Sequence, residues 1–199
     1  SESSRALQVR LAESTATVYF QDDFSWIDPN DAVFATHTDW INTYCTTDVS
    51  GRFDALLEGG QTSLNGWNYD PSKPGVYTRP GYIHLNSTKT QGAIVSPALA
   101  AISGSDDVEV SFDATYFYQY FTKKPDANRN LTIRLLGAGA IEGATDGALT
   151  VTMERGDSWQ NFTFRIQGAD ATTQVVLGPA SVSSNRALFD NFRVVSLTK

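Results

Sequence analysis

Cysteine is almost absent: Cys45 stands alone among 199 residues, so no intrachain disulfide can staple the fold. Histidine is nearly as scarce, with only His37 and His84. A zinc site with closely spaced His and Cys ligands, or a Ser-His-Asp relay, has almost nothing to draw on, and no G-x-S-x-G turn presents a nucleophile. Basic tracts are missing too. Lys and Arg total 15 against 22 Asp and Glu, a net charge of -7, which excludes nucleic acid as a partner because phosphate binding requires clustered cations. No apolar run is long enough to cross a bilayer as a helix. Helical periodicity never persists beyond a few turns, the best case being the short "GRFDALLEGG".

What the chain has in abundance is alternation. "YIHLN", "GAIVS", "DVEVSFDATYFY", "NLTIRLL", "ALTVTME", "QNFTFRI" and "ALFDNFRVV" have strand composition and period, separated by turns such as "SGSDD" and "QGADATT". This predicts an all-β fold, a jelly-roll β-sandwich spanning 18–199, preceded by a tail or linker strand over 1–17. One irregular region, Trp26 to Pro80, contains "NYDPSKPGVYTRPG" and eight aromatics, among them Trp40, Trp67, Tyr69 and Tyr77. Its aromatic content argues against disorder and for an ordered excursion packed by its own side chains.

Near the end, "ALFDNFRVV" raises a question. Leu188, Asp190, Phe192 and Val194 share one parity, which aims a carboxylate at the core. Such a group must be hydrogen-bonded, paired with Arg186 or Arg193, or bound to a cation.

The order of "VYFQDDFSW", "GAIVSPALAAISGSDDVEVSFDA", "WQNFTFRI" and "ALFDNFRVV" resembles the galactose-binding-like jelly rolls of secreted and surface bacterial proteins. These include carbohydrate-binding modules and the MAM-like and cleaved-adhesin domains. The resemblance covers Val18 to Val195 and implies an extracytoplasmic protein, secreted, periplasmic or at the cell surface. It also implies a structural calcium ion joining the opening and closing strands through Asp190 and Asp22 or Asp23.

Catalytic chemistry finds little support. "GDSW" sits in a turn between strands with no histidine after it, and most of the carboxylates, Asp54, Glu58, Asp106, Asp107, Glu109 and Glu142 among them, read as solvated surface. The N-x-Ser/Thr sites at Asn86, Asn130 and Asn161 are of a kind that Asn- and Thr-rich strands produce by chance. Aromatics beside amide side chains remain, and sugars stack their C–H faces on such rings. The candidate platform is Trp40, Trp67, Tyr69 and Tyr77 together with Tyr116, Tyr118 and Tyr120, which share one parity of "SFDATYFYQYF". The expected function is noncatalytic glycan binding. The rivals are an adhesin-like domain with a cell-surface protein partner and, less favoured, a glycan-processing enzyme domain.

Overall fold

The structure, a computed structural model, describes residues 16–27, 52–58, 64–119, 124–156 and 158–199. His37, Trp40, Cys45 and Tyr120 fall outside them, as do the first fifteen residues of the expected tail.

Two antiparallel sheets face each other as a jelly-roll sandwich. The larger has seven strands: β10 (Ala140–Ile141), β12 (Gln160–Asp170), β6 (Ser105–Tyr116), β14 (Ala187–Ser196), β4 (Tyr82–Leu85) and β3 (Val76–Arg79) in that order, with β1 (Val18–Asp22) also on β14. The free edge of β14 is shared: Ala187, Leu188 and Phe189 pair with β4, and Phe192 to Val195 with β1. The smaller sheet runs β11 (Leu149–Thr152), β9 (Asn130–Leu136), β13 (Gln174–Pro179), β5 (Gly92–Val95) and β2 (Asn68–Pro74). One helix, α1 (Phe53–Glu58), and a small hairpin of β7 (Tyr118–Gln119) with β8 (Lys124–Pro125) complete the described elements.

The core follows from the period-two patterning. Val108, Val110, Phe112 and Ala114 of β6 are all fully buried against Leu131 and Ile133 of β9 and their neighbours. The stretch expected to be irregular, "NYDPSKPGVYTR", instead forms β2 and β3. Proline cannot donate to a ladder, so it is tolerated only at edges and bulges. β2 meets both conditions, being the outermost strand of its sheet with a register shift between Tyr69 and Pro74.

The question posed by Asp190 is answered by the backbone. Asp190 pairs with Asp113, but Arg193 pairs with Ser111, so Asn191 and Phe192 together oppose Phe112. This β-bulge places Asn191 at φ 50° and switches which parity faces inward. Phe189, Phe192 and Val194 all enter the core, and Asp190 stays half-buried on the other face. The inward carboxylate read from unbroken alternation is therefore corrected.

β1 and the segment that ends β14 are tied together by a residue first read as solvated surface. Asp106 is 6% exposed and accepts hydrogen bonds from the hydroxyls of Tyr19, Ser196 and Thr198. Burial alone would raise its pKa, but these bonds, with the charge of Lys199, outweigh it and hold the carboxyl down at about 2. A depressed native pKa gives stability that is present above the usual value of 3.8 and lost as pH falls toward 2. Acid melts should therefore show wild type losing stability between those values, and Asp106→Asn should flatten that dependence while lowering the neutral-pH melting temperature. An unchanged acid profile in the variant would contradict this role.

Asn86, one of the N-x-Ser/Thr sites, is fully buried. Its amide donates to the carbonyls of Ser181 and Asn185 and accepts from Gly92 N–H, so it stitches three segments together rather than offering a glycosylation site.

Candidate functional site

The outer face of the five-stranded sheet is assembled from rows of cross-strand neighbours. Arg134, Val176, Val95 and Asn68 lie side by side across β9, β13, β5 and β2. One row away, Leu136 pairs with Gln174; on the other side Thr150, Thr132 and Gly178 align. At about 4.8 Å between strands, the central row crosses roughly 14 Å of sheet. Two hollows open on this face and share Arg134 and Val176. The larger, about 740 Å³, is bounded by Leu57, Asn68, Tyr69, Asp70, Pro71, Leu136 and Gln174. The smaller, about 150 Å³, adds Lys73, Gln91, Ala93, Thr132 and Gly178. Together they form one trough with a floor of small apolar residues and a polar rim.

Backbone proximity explains the smooth floor. A Cβ placed on Gly178 would lie 2.2 Å from the Gly92 carbonyl oxygen, and one on Gly92 would lie 1.9 Å from that of Gly75. No side chain fits where β13, β5 and the β2–β3 corner press together, so this end of the trough is paved by main chain. Gln174 is anchored by its Nε2 donating 2.9 Å to the Ser96 carbonyl, which leaves its amide oxygen for a ligand. Asp70 turns its carboxylate onto the Ser72 N–H and hydroxyl, at 2.9 and 2.8 Å.

The expected aromatic platform is not gathered here. Of its members, Trp40 and Tyr120 lie outside the described residues, and only Tyr69 lines the trough. Trp67 is 3% exposed, packed edge-on between Phe20, Phe189 and Phe192. Tyr77 is 4% exposed and set edge-to-face against His84. Tyr116 is half-buried, with the Arg129 guanidinium 4.1 Å above its ring and Gly156 so close that an added Cβ would lie 2.3 Å away. Tyr118 is half-buried in the β7–β8 hairpin, where it pairs with Pro125. β6 ends at Tyr116, and Phe117, buried in a separate cluster with Tyr82, Leu188 and Trp159, stands between it and Tyr118 of β7. The trough residues sequence reasoning missed, Arg134, Gln174 and Asn68, carry no local motif.

No protein-family model and no curated protein sequence matches the chain. Solved structures that align with the chain include carbohydrate-binding modules. A xylan-binding family 22 module from Paenibacillus barcinonensis aligns at 8% identity over 92% of this chain and 97% of its own, with a TM-score of 0.45. A family 29 carbohydrate-binding module variant aligns at 14% identity over 66% of this chain and 82% of its own, with a TM-score of 0.43. The N-terminal part of a Clostridium thermocellum endo-1,4-beta-D-xylanase, complexed with xylohexaose, aligns at 9% identity over 67% and 26%, with a TM-score of 0.41. At this distance none of them supplies an argument about what this chain binds.

A separate hollow, about 540 Å³, lies at the corner where β1 meets the bulge of β14 and is lined by Asp22, Asp23, Trp26, Asn65, Asn191 and Arg193 among others. Asp22 is 7% exposed. Its Oδ1 accepts from Phe24 N–H at 2.7 Å, its Oδ2 from Asn65 Nδ2 at 2.8 Å and Trp67 Nε1 at 2.7 Å, and the Trp26 indole N–H bridges both oxygens. Asp190 accepts from Asn191 N–H, and its pKa is pushed up to about 7 by burial and then by the nearby charges of Asp113, Asp23 and Asp22. Asp23 is exposed and accepts from Ser25 N–H.

As a calcium ligand Asp22 does not fit, because N–H donors already take up its lone pairs. Calcium takes six to eight oxygens, and among the described residues no three acidic, histidine or cysteine side chains gather as a metal site. Asp23 and Asp190 are the two expected ligands whose carboxylates remain open to a cation.

Proposed function

We propose that this chain is a noncatalytic glycan-binding module whose ligand lies in the trough across the five-stranded sheet. The row of Arg134, Val176, Val95 and Asn68, with Gln174 beside it, carries the reading. A saccharide offers alternating C–H faces and hydroxyl edges, and it is met by small apolar floor residues and by amides and a guanidinium on the rim. Tyr69, Pro71 and Leu136, the last 49% exposed, give one end of the trough an apolar wall. An open groove suits an extended polymer rather than an enclosed small molecule, and polymers of this kind are met outside the cytoplasm.

Binding without hydrolysis follows from the same lining. Glycoside hydrolysis requires a pair of carboxyl groups flanking the scissile bond. Among the described residues Asp70 is the single carboxylate lining the trough, and it is engaged by Ser72.

Affinity electrophoresis of the purified chain against soluble polysaccharides, backed by a glycan array, tests this reading. Asn68→Ala and Gln174→Ala should each weaken the best ligand by about fivefold to tenfold, the equivalent of one hydrogen bond, with melting temperature unchanged in Asn68→Ala and modestly lowered in Gln174→Ala, which also gives up the bond to the Ser96 carbonyl. A folded protein that retards on no polysaccharide and leaves the array blank would overturn glycan binding. A partner recovered instead from cell-surface extracts would favour the adhesin-like alternative.

A further inference from the structure

The charged residues lining the trough are Lys73, Arg134 and Asp70. Arg134 stands at the centre, exposed on β9, where its Nη1 donates to the Asp146 carbonyl at 3.3 Å. Among the described residues no carboxylate lies within ion-pair distance of it, whereas Arg52, Arg165 and Arg186 are paired with Asp54, Glu109 and Asp126. Lys73 approaches the same hollow from β2, and between the two cations lie Ala93 and Gly178, which put nothing bulky in the way. Asp70 feels the charge of Lys73, and its Oδ1 accepts both the N–H and the hydroxyl of Ser72. A trough with two cations open to a ligand is a local reversal of sign in a chain of net charge -7.

We propose that the glycan taken by this trough carries carboxylate groups, that is, a uronate-bearing polysaccharide, with Arg134 as the carboxylate fork and Lys73 as a second point charge. The proposal rests on the glycan-binding reading above. A neutral polymer laid over Arg134 would strip water from a guanidinium and return only hydroxyl contacts, which is costly for a charge left without a partner. A carboxylate returns two parallel charge-assisted hydrogen bonds in the plane of the guanidinium, a match that ammonium cannot reproduce. The acidic remainder of the protein opposes an anionic polymer only weakly, because surface charges farther apart than about 8 Å are largely screened at physiological salt.

The test uses the full chain with polygalacturonate and alginate, the same polymers after carboxyl reduction, a neutral xylan and glucan, and dextran sulfate. The uronates should bind most tightly, carboxyl reduction should abolish the preference, and raised salt should weaken binding. Arg134→Gln should lower uronate affinity by about tenfold to a hundredfold, a larger loss than it causes toward neutral polymers. Arg134→Lys should recover only part of the loss, and Lys73→Gln should cost less than Arg134→Gln. Neutral or carboxyl-reduced polymers bound as tightly as uronates, with Arg134→Gln silent, would overturn this proposal and leave glycan binding standing. Preference for dextran sulfate over uronates would equally overturn it. A folded protein that binds none of these polymers would remove the glycan-binding reading itself.

Discussion

Replacing Asp22 by alanine should lower the unfolding free energy by about 3 to 5 kcal/mol, the range for stripping a buried charged acceptor from its donors. Asp22 ends β1, and its carboxylate gathers two indole N–H groups, an amide and a main-chain N–H at one corner of the sandwich. Trp67 cannot turn its indole elsewhere, because Phe20, Phe24, Phe189 and Phe192 surround the ring. Phe24 is held at φ 55°, a left-handed conformation unusual for a bulky residue, by the turn that the Asp22 side chain closes. Asp22→Asn should also destabilise, since one amide edge would present N–H to N–H. Trp67→Phe should cost less than Trp67→Ala, because it forfeits one hydrogen bond and part of the ring instead of opening a cavity. Urea unfolding of the four variants decides the matter. Asp22→Ala within 1 kcal/mol of wild type would show that the donors find other partners and that this corner does not depend on the carboxylate.

The strands were legible because one-face burial writes a period of two into β6, β9 and β12, and such patterns survive whatever the neighbouring strand is. β14 was legible as a strand but not in its facing, since the bulge at Asn191 leaves no mark in composition beyond an asparagine. Asp106 was misread because its hydroxyl partners Tyr19, Ser196 and Thr198 lie 87, 90 and 92 residues away, and nothing nearby announces them. The candidate site was the least legible part. Aromatic residues are conspicuous in a sequence, yet Trp67 and Tyr77 spend their area on packing, whereas the trough is made of Val, Gly, Asn, Gln and Arg from four strands. Only the register between those strands sets them in rows, and register is a tertiary property that no single segment encodes.

On the far side of the sandwich, Arg186→Ala and Asp126→Ala should each destabilise the protein by about 3 to 5 kcal/mol, the usual cost of leaving one member of a buried ion pair alone. Asp126 is 4% exposed, and the Arg186 side chain is 15% exposed. The pair is two-pronged: Arg186 Nη2 meets Oδ1 at 2.6 Å and Nε meets Oδ2 at 2.9 Å, while the Arg186 main-chain N–H adds a third bond at 2.7 Å. The guanidinium also lies 3.8 Å above the Phe117 ring, which packs with Tyr82 and Leu188. Phe117 and Asp126 bracket the β7–β8 hairpin, so this constellation fastens the hairpin to the start of β14. Arg186→Lys should fall between wild type and alanine, keeping charge but losing the fork and the flat contact with the ring. The double variant, with both charges gone, should be less destabilised than the sum of the single ones, because each single change leaves a charge stranded. Limited proteolysis should find the segment from Phe117 to Asp126 more readily cut in Arg186→Ala than in wild type. Single variants that cost under 1 kcal/mol, or effects that simply add, would mean that the hairpin is held by Phe117 packing and its main-chain bonds rather than by the ion pair.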